Sequence, residues 1–144
     1  MAHAENTITI TKPQKLVYDF LADGLNNPKW RDAVLEISLK SGQAGRVGAE
    51  YRQLLKGPGG RTIAGDYQLT EATPNSKLAF MVTAGPARPE GQYVLKPTTG
   101  GTSVEFTLDL QTRGLMKLME PMITKTMKAE VATLSRLKAV FEQV

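Results

Sequence analysis

GTSVEFTLDLQTRGLMKLMEP, residues 101–121, changes its hydrophobic period part-way along. Val104, Phe106, Leu108 and Leu110 alternate with other residues, the period of a half-buried strand. From Gly114 onward the spacing becomes helical. Leu115, Met116, Met119, Met122, Ile123 and Met127 fall on one arc, which continues through Leu134, Leu137, Val140 and Phe141. Lys117, Lys125, Lys128 and Arg136 fall on the opposite side, so the segment reads as an amphipathic helix over 114–143. At 1.5 Å per residue it would run roughly 45 Å. Pro121 lies inside it, and a kink or a broken first turn is expected there.

Upstream, period-2 patterns dominate. Leu35, Ile37 and Leu39 alternate, then Tyr51, Gln53 and Leu55. Ile63, Gly65, Tyr67 and Leu69 share a face, as do Leu78, Phe80 and Val82, and then Tyr93 and Leu95. Gly57-Pro58-Gly59-Gly60, the GPARPEG segment and Gly100-Gly101 separate these runs as turns. Short strands joined by hairpins make an antiparallel sheet with one apolar face, which the terminal helix must cover. At the other end of the chain, Ile8 and Ile10 mark a first strand. Pro13 suits the first position of a helix that buries Leu16, Val17, Phe20 and Leu21. Asn26-Asn27-Pro28 opens a second short helix or turn that closes on Trp30. The fold class is therefore α+β, in one domain spanning 1–144.

The chain has no cysteine, which removes disulfides, thiolate nucleophiles and cysteine-ligated zinc. Its one histidine, His3, is two residues from the start and reads as part of a frayed tail. Neither a metal nor a cofactor is expected. The net charge of +4 suggests weak attraction to anionic surfaces, but the basic residues are not interleaved with aromatics, and no nucleic-acid partner is expected. The N-terminal stretch shows no secretory pattern, and no segment approaches the roughly 20 apolar residues of a membrane span, so the expected setting is cytoplasmic. Monomer and homodimer both stay open.

The stretches ITITKPQKLVYDFLADGLNNPKW, GTSVEFTLDLQTRGLMKLMEP and LSRLKAVFE, in this order, resemble the polyketide cyclase/dehydrase and START-like (SRPBCC) superfamily over nearly the whole chain. The resemblance implies a helix-grip fold: a curved antiparallel sheet of about seven strands wrapped on a long C-terminal helix, with two short helices after the first strand. It also implies a cavity between sheet and helix for a small hydrophobic ligand such as a lipid, sterol or polyketide. It transfers no catalytic motif.

Methionine suits a surface that adapts to an irregular partner, whereas leucine, valine and phenylalanine specify a tighter fit. By itself the methionine-rich half of the helix reads as gap-filling core or as cavity wall; the resemblance implies the wall, with Met119, Met122, Ile123 and Thr126 among its residues. From the sheet, Gln53, Tyr67, Phe80, Tyr93 and Phe106 are the ligand-binding candidates. Glu130 breaks the apolar arc. A carboxylate facing a dry core takes up a proton or finds a partner, so it should meet an arginine, a tyrosine hydroxyl, water or a ligand; Tyr51, Tyr67, Tyr93 and Gln53 are the sheet candidates. Glu130 at the solvent edge is the alternative. Trp30 reads as packing or as the cavity mouth, and Asp19 with Asp23 as helix surface. Three readings of function result: a small-molecule binding protein, an enzyme of the cyclase or dehydratase kind using Glu130 and the tyrosines, or a peripheral membrane or interaction module using the lysine stripe.

Overall fold

A computed structural model of the chain describes residues 1–85 and 87–142. Eight strands form one antiparallel sheet: β1 (Ala2–Ile10), β2 (Val34–Ser41), β3 (Glu50–Lys56), β4 (Thr62–Ala64), β5 (Tyr67–Thr73), β6 (Lys77–Val82), β7 (Glu90–Thr98) and β8 (Gly101–Leu110). Their order is β1-β8-β7-β6-β5-β3-β2, with the short β4 paired to β3. The alternation read from the sequence sets the faces. Asn6 lies opposite Phe106, Phe106 opposite Tyr93, and Leu78 opposite Tyr93, so these side chains share the inner face. Register shifts between Val34 and Glu36, Leu39 and Ser41, and Leu69 and Glu71 mark irregularities of the kind that bend strands.

The first strand is longer than Ile8 and Ile10 alone imply. It begins at Ala2, and His3 is part of it, paired opposite Asp109 rather than frayed. Ala2, Ala4 and Ile10 are buried, and the small alanines at its start leave no apolar signal long enough to read. Ile63, expected in one strand with Tyr67, sits on the separate β4 and is exposed.

Helix α1 (Gln14–Ala22) follows, with Pro13 as its extended N-cap residue rather than its first helical one. It buries Val17, Tyr18, Leu21 and Ala22, whereas Leu16 is exposed. Asp23 ends α1 and caps a 3-10 turn, Gly24–Lys29, by accepting from Leu25 N.

The C-terminal helical segment is not one rod. Gly114–Met119 is a 3-10 helix, α2 runs Glu120–Ala132 and α3 runs Leu134–Glu142, with the break at Thr133. The expected end at residue 143 lies outside the described residues. Pro121 sits in the first turn of α2, where its missing N–H costs nothing, and thereby begins the helix. Both helices pack chiefly over β1. Met127, Val131, Leu134 and Leu137 are their buried residues, continuous with the aromatic core.

Candidate functional site

The interior is floored by aromatic rings. Tyr93 and Phe106, cross-strand neighbours on β7 and β8, have ring centroids 4.6 Å apart, and Phe80 lies 5.9 Å from Tyr93. Trp30, at the end of the 3-10 turn, meets both Tyr93 and Phe106 edge-on at 6.1 Å. Gly91 lies opposite Phe80, and a Cβ there would collide with the Phe80 ring.

Two polar groups are set into this floor. In the first, Asn27 Nδ2 donates to Gln53 Oε1 (3.1 Å) and to the Tyr67 hydroxyl (3.0 Å), while Gln53 Nε2 donates to the Gly65 carbonyl (3.2 Å). Gly24 permits the approach, since a Cβ there would run into the Tyr67 hydroxyl. In the second, Arg31 donates from Nε (3.1 Å) and Nη2 (2.8 Å) to Glu130 Oε2. Both side chains are nearly buried, at 9% and 15% exposure. Burial opposes the Arg31 charge, but Glu130 with Tyr93 and Tyr67 more than offsets it and holds the guanidinium above its usual value. Burial also pushes the Tyr93 hydroxyl up to about 12, the Arg31 charge countering and the Glu130 charge adding. Tyr67 is raised as well, first by burial and then by Tyr93. Both tyrosines are thus hydrogen-bond donors at neutral pH. Among the described residues, Trp30 Nε1 and Thr98 Oγ1 are the buried side-chain polar atoms without a partner.

Gln53, Tyr67, Phe80, Tyr93 and Phe106 come together on the concave face, all buried. Glu130 turns inward and meets an arginine, but none of the sheet residues named as its candidate partners. Arg31 and Asn27 were missed. The signal for Arg31 was Glu130 itself, a carboxylate on an apolar arc that demands a cation. Met119 and Met122 depart from the expectation of a cavity wall, being 50% and 45% exposed. Thr126 is exposed too, its hydroxyl donating to the Met122 carbonyl. Ile123 is half-buried at the margin. For Met119 the physical reason is the 3-10 turn, whose three residues per turn invalidate a 100° projection through 114–119. Met122 and Thr126 lie within α2 itself, about 140° and about 100° around the helix from Met127, and so fall off its buried face. The buried face of α2 is centred instead on Met127 and Val131. Asp19 pairs with Lys15 on the surface of α1. Two hollows, one along Lys117, Pro121 and Lys128 and one along Met81, Gln92 and Thr107, are not between sheet and α2.

The sequence profile described as "Polyketide cyclase / dehydrase and lipid transport" matches residues 1–142. The chain belongs to this polyketide cyclase/dehydrase and lipid transport family. Its members share the helix-grip, START-like fold described above, a fold of the hydrophobic-ligand-binding type. A START superfamily protein from Mycobacterium smegmatis is similar over 99% of both chains, with 16% identity and a TM-score of 0.80. A protein from Thermus thermophilus is 18% identical over 95% of this chain and 94% of its own, with a TM-score of 0.79. The di-domain ARO/CYC BexL of the BE-7585A biosynthetic pathway matches 99% of this chain and 48% of its own, at 17% identity and a TM-score of 0.73. At these identities the likeness speaks for the fold alone. No curated protein matches the sequence. Among the described residues no group of acidic residues or histidines is arranged to hold a metal ion, and no helix is long and apolar enough to cross a membrane.

Proposed function

We propose that this polyketide cyclase/dehydrase-family chain, working in the cytoplasm as a monomer or homodimer, binds one small hydrophobic or amphipathic molecule of the lipid, sterol or polyketide-like kind. The molecule lies between the concave face of the sheet and α2. One observation carries the reading: Trp30 Nε1 is a buried donor without a partner, in an aromatic interior beside two polar clusters. An unmade buried hydrogen bond costs about 1–3 kcal/mol, which an acceptor on a ligand would recover. Phe80, Phe106 and the Trp30 ring supply apolar contact, at about 25 cal/mol per Å² removed from water. The Tyr93 hydroxyl supplies a second donor. The rings touch one another, so a ligand gains access by parting α2 from the sheet, and Arg31–Glu130 is the cross-link that yields.

A thermal-shift and native mass-spectrometry screen against a fatty acid, a sterol and an aromatic polyketide tests this. Trp30→Phe keeps a ring and removes the donor. It should weaken an acceptor-bearing ligand roughly tenfold while leaving a pure hydrocarbon unaffected. Absence of binding by all three classes would sink the reading.

A second reading, a cyclase or dehydratase, draws on the two protonated tyrosines beside a guanidinium. Such donors polarise a carbonyl in a water-poor site. Glu130→Gln and Tyr67→Phe should then abolish turnover of a polyketide substrate while binding persists; binding and turnover falling together would remove it.

A further inference from the structure

We infer that the 3-10 turn Gly114–Met119 and the start of α2 form a docking surface for an anionic lipid bilayer. Leu115 and Leu118 are 82% and 80% exposed, more than any other large apolar side chain among the described residues. Residues three apart eclipse in a 3-10 helix, so the two leucines stack into a ridge. Met119 and Met122, half exposed, extend it, since residues three and four apart are neighbours on a helix surface. Lys125 follows Met122 by the same spacing, and Lys128 follows Lys125.

The charge on this surface is predominantly positive. Lys117, Lys125 and Lys128, with Glu120, Pro121 and Thr124, line an open hollow of about 580 Å³. Its one acid, Glu120, is already engaged by the Thr112 hydroxyl (2.9 Å) and the Met1 ammonium (2.8 Å). Among the described residues none of the three lysines is in an ion pair. Protruding apolar side chains beside unpaired lysines make the pattern of an interfacial segment, whose apolar side enters the acyl boundary while its cations meet lipid phosphates.

The ridge fits a bilayer better than a folded partner. Side chains four-fifths exposed project from the surface, and the hollow beside them is lined mostly by lysines and other polar groups rather than by an apolar wall that would hold another protein's anchor. Four of them fall short of the roughly 800 Å² that a stable protein partner covers. Leucine and methionine chains instead conform to a fluid boundary. The surface is separate from the interior cluster, and its test does not depend on ligand binding.

The test is co-sedimentation with vesicles of phosphatidylcholine alone and of phosphatidylcholine mixed with phosphatidylglycerol. The protein should pellet with the mixed vesicles at low salt and be released as salt rises. Lys117→Gln/Lys125→Gln/Lys128→Gln should weaken partition by roughly fivefold for each lysine, and Leu115→Ser/Leu118→Ser should abolish it at any salt. Both variants change exposed side chains, so melting temperature serves as the folding control. Equal pelleting with both vesicle types, pelleting with neither, or unchanged pelleting of both variants would overturn the inference. So would a solution dimer that Leu115→Ser/Leu118→Ser dissociates, since the ridge would then be covered by a second copy.

Discussion

Glu130 on α2 accepts two hydrogen bonds from Arg31, which lies 99 residues earlier in the chain at the end of the 3-10 turn. The pair ties the turn to the helix across the interior. Removing one partner leaves the other charge buried, which typically costs about 3–5 kcal/mol. Glu130→Leu should therefore lower the urea midpoint sharply. Arg31→Met/Glu130→Leu should recover most of that loss, because paired burial of two charges contributes little net stability. A double variant as unstable as the single one contradicts this account. If the double variant is stable yet no longer takes up ligand, the pair serves binding rather than folding.

Gly24 lies where a Cβ would strike the Tyr67 hydroxyl and come within 2.8 Å of the Tyr51 ring. Gly24→Ala should thus push Tyr67 away from Asn27 and cost about 1–3 kcal/mol, as overpacked cores do. Gly24→Ala with Tyr67→Phe should lose less than the sum of the two single losses, because both act through the same hydroxyl. Additive losses in chemical denaturation would show that the hydroxyl is not the obstacle.

His3 is hydrogen bonded to Asp109 (2.5 Å) and lies near Glu5 (3.2 Å). The hydrogen bonds to Asp109 and then Glu5 raise its pKa above the ordinary 6.5. A group whose folded pKa is raised contributes stability fully below its unfolded pKa and loses it as pH rises through the folded value. The melting temperature of the wild-type protein should therefore exceed that of His3→Gln below pH 6.5 and converge with it at higher pH. The gap should be small, because the side chain is half exposed and screened by solvent. A gap that widens with rising pH contradicts the assignment.

Trp30 is the single tryptophan and is 1% exposed. Its emission should be blue-shifted and resistant to iodide quenching in the free protein. A ligand that reaches Nε1 should change the emission in proportion to occupancy, whereas a ligand bound only at the surface should not. Titration by fluorescence, compared with thermal shift on the same compounds, separates the two.

Much of this architecture was legible along the chain. The strict alternation of Val104, Phe106, Leu108 and Leu110 placed those side chains on one face, because a strand has no other way to present them. The inward set of Gln53, Tyr67, Phe80, Tyr93 and Phe106 came from the same period. The anomaly of Glu130 was legible too, and so was its need for a polar partner. The register along β1 and the partition of 114–142 into a 3-10 turn and two helices were not. Alanines carry little periodic signal, and a tightened turn changes the angle between successive side chains without changing their identity. Thus local chemistry determined which side chains share the inner face of the sheet. Only the packed chain decided that Arg31 answers Glu130, that Asn27 holds Gln53 and Tyr67 together, and that Met119 and Met122 lie outside, because those pairings depend on elements far apart in sequence meeting at a particular rotation.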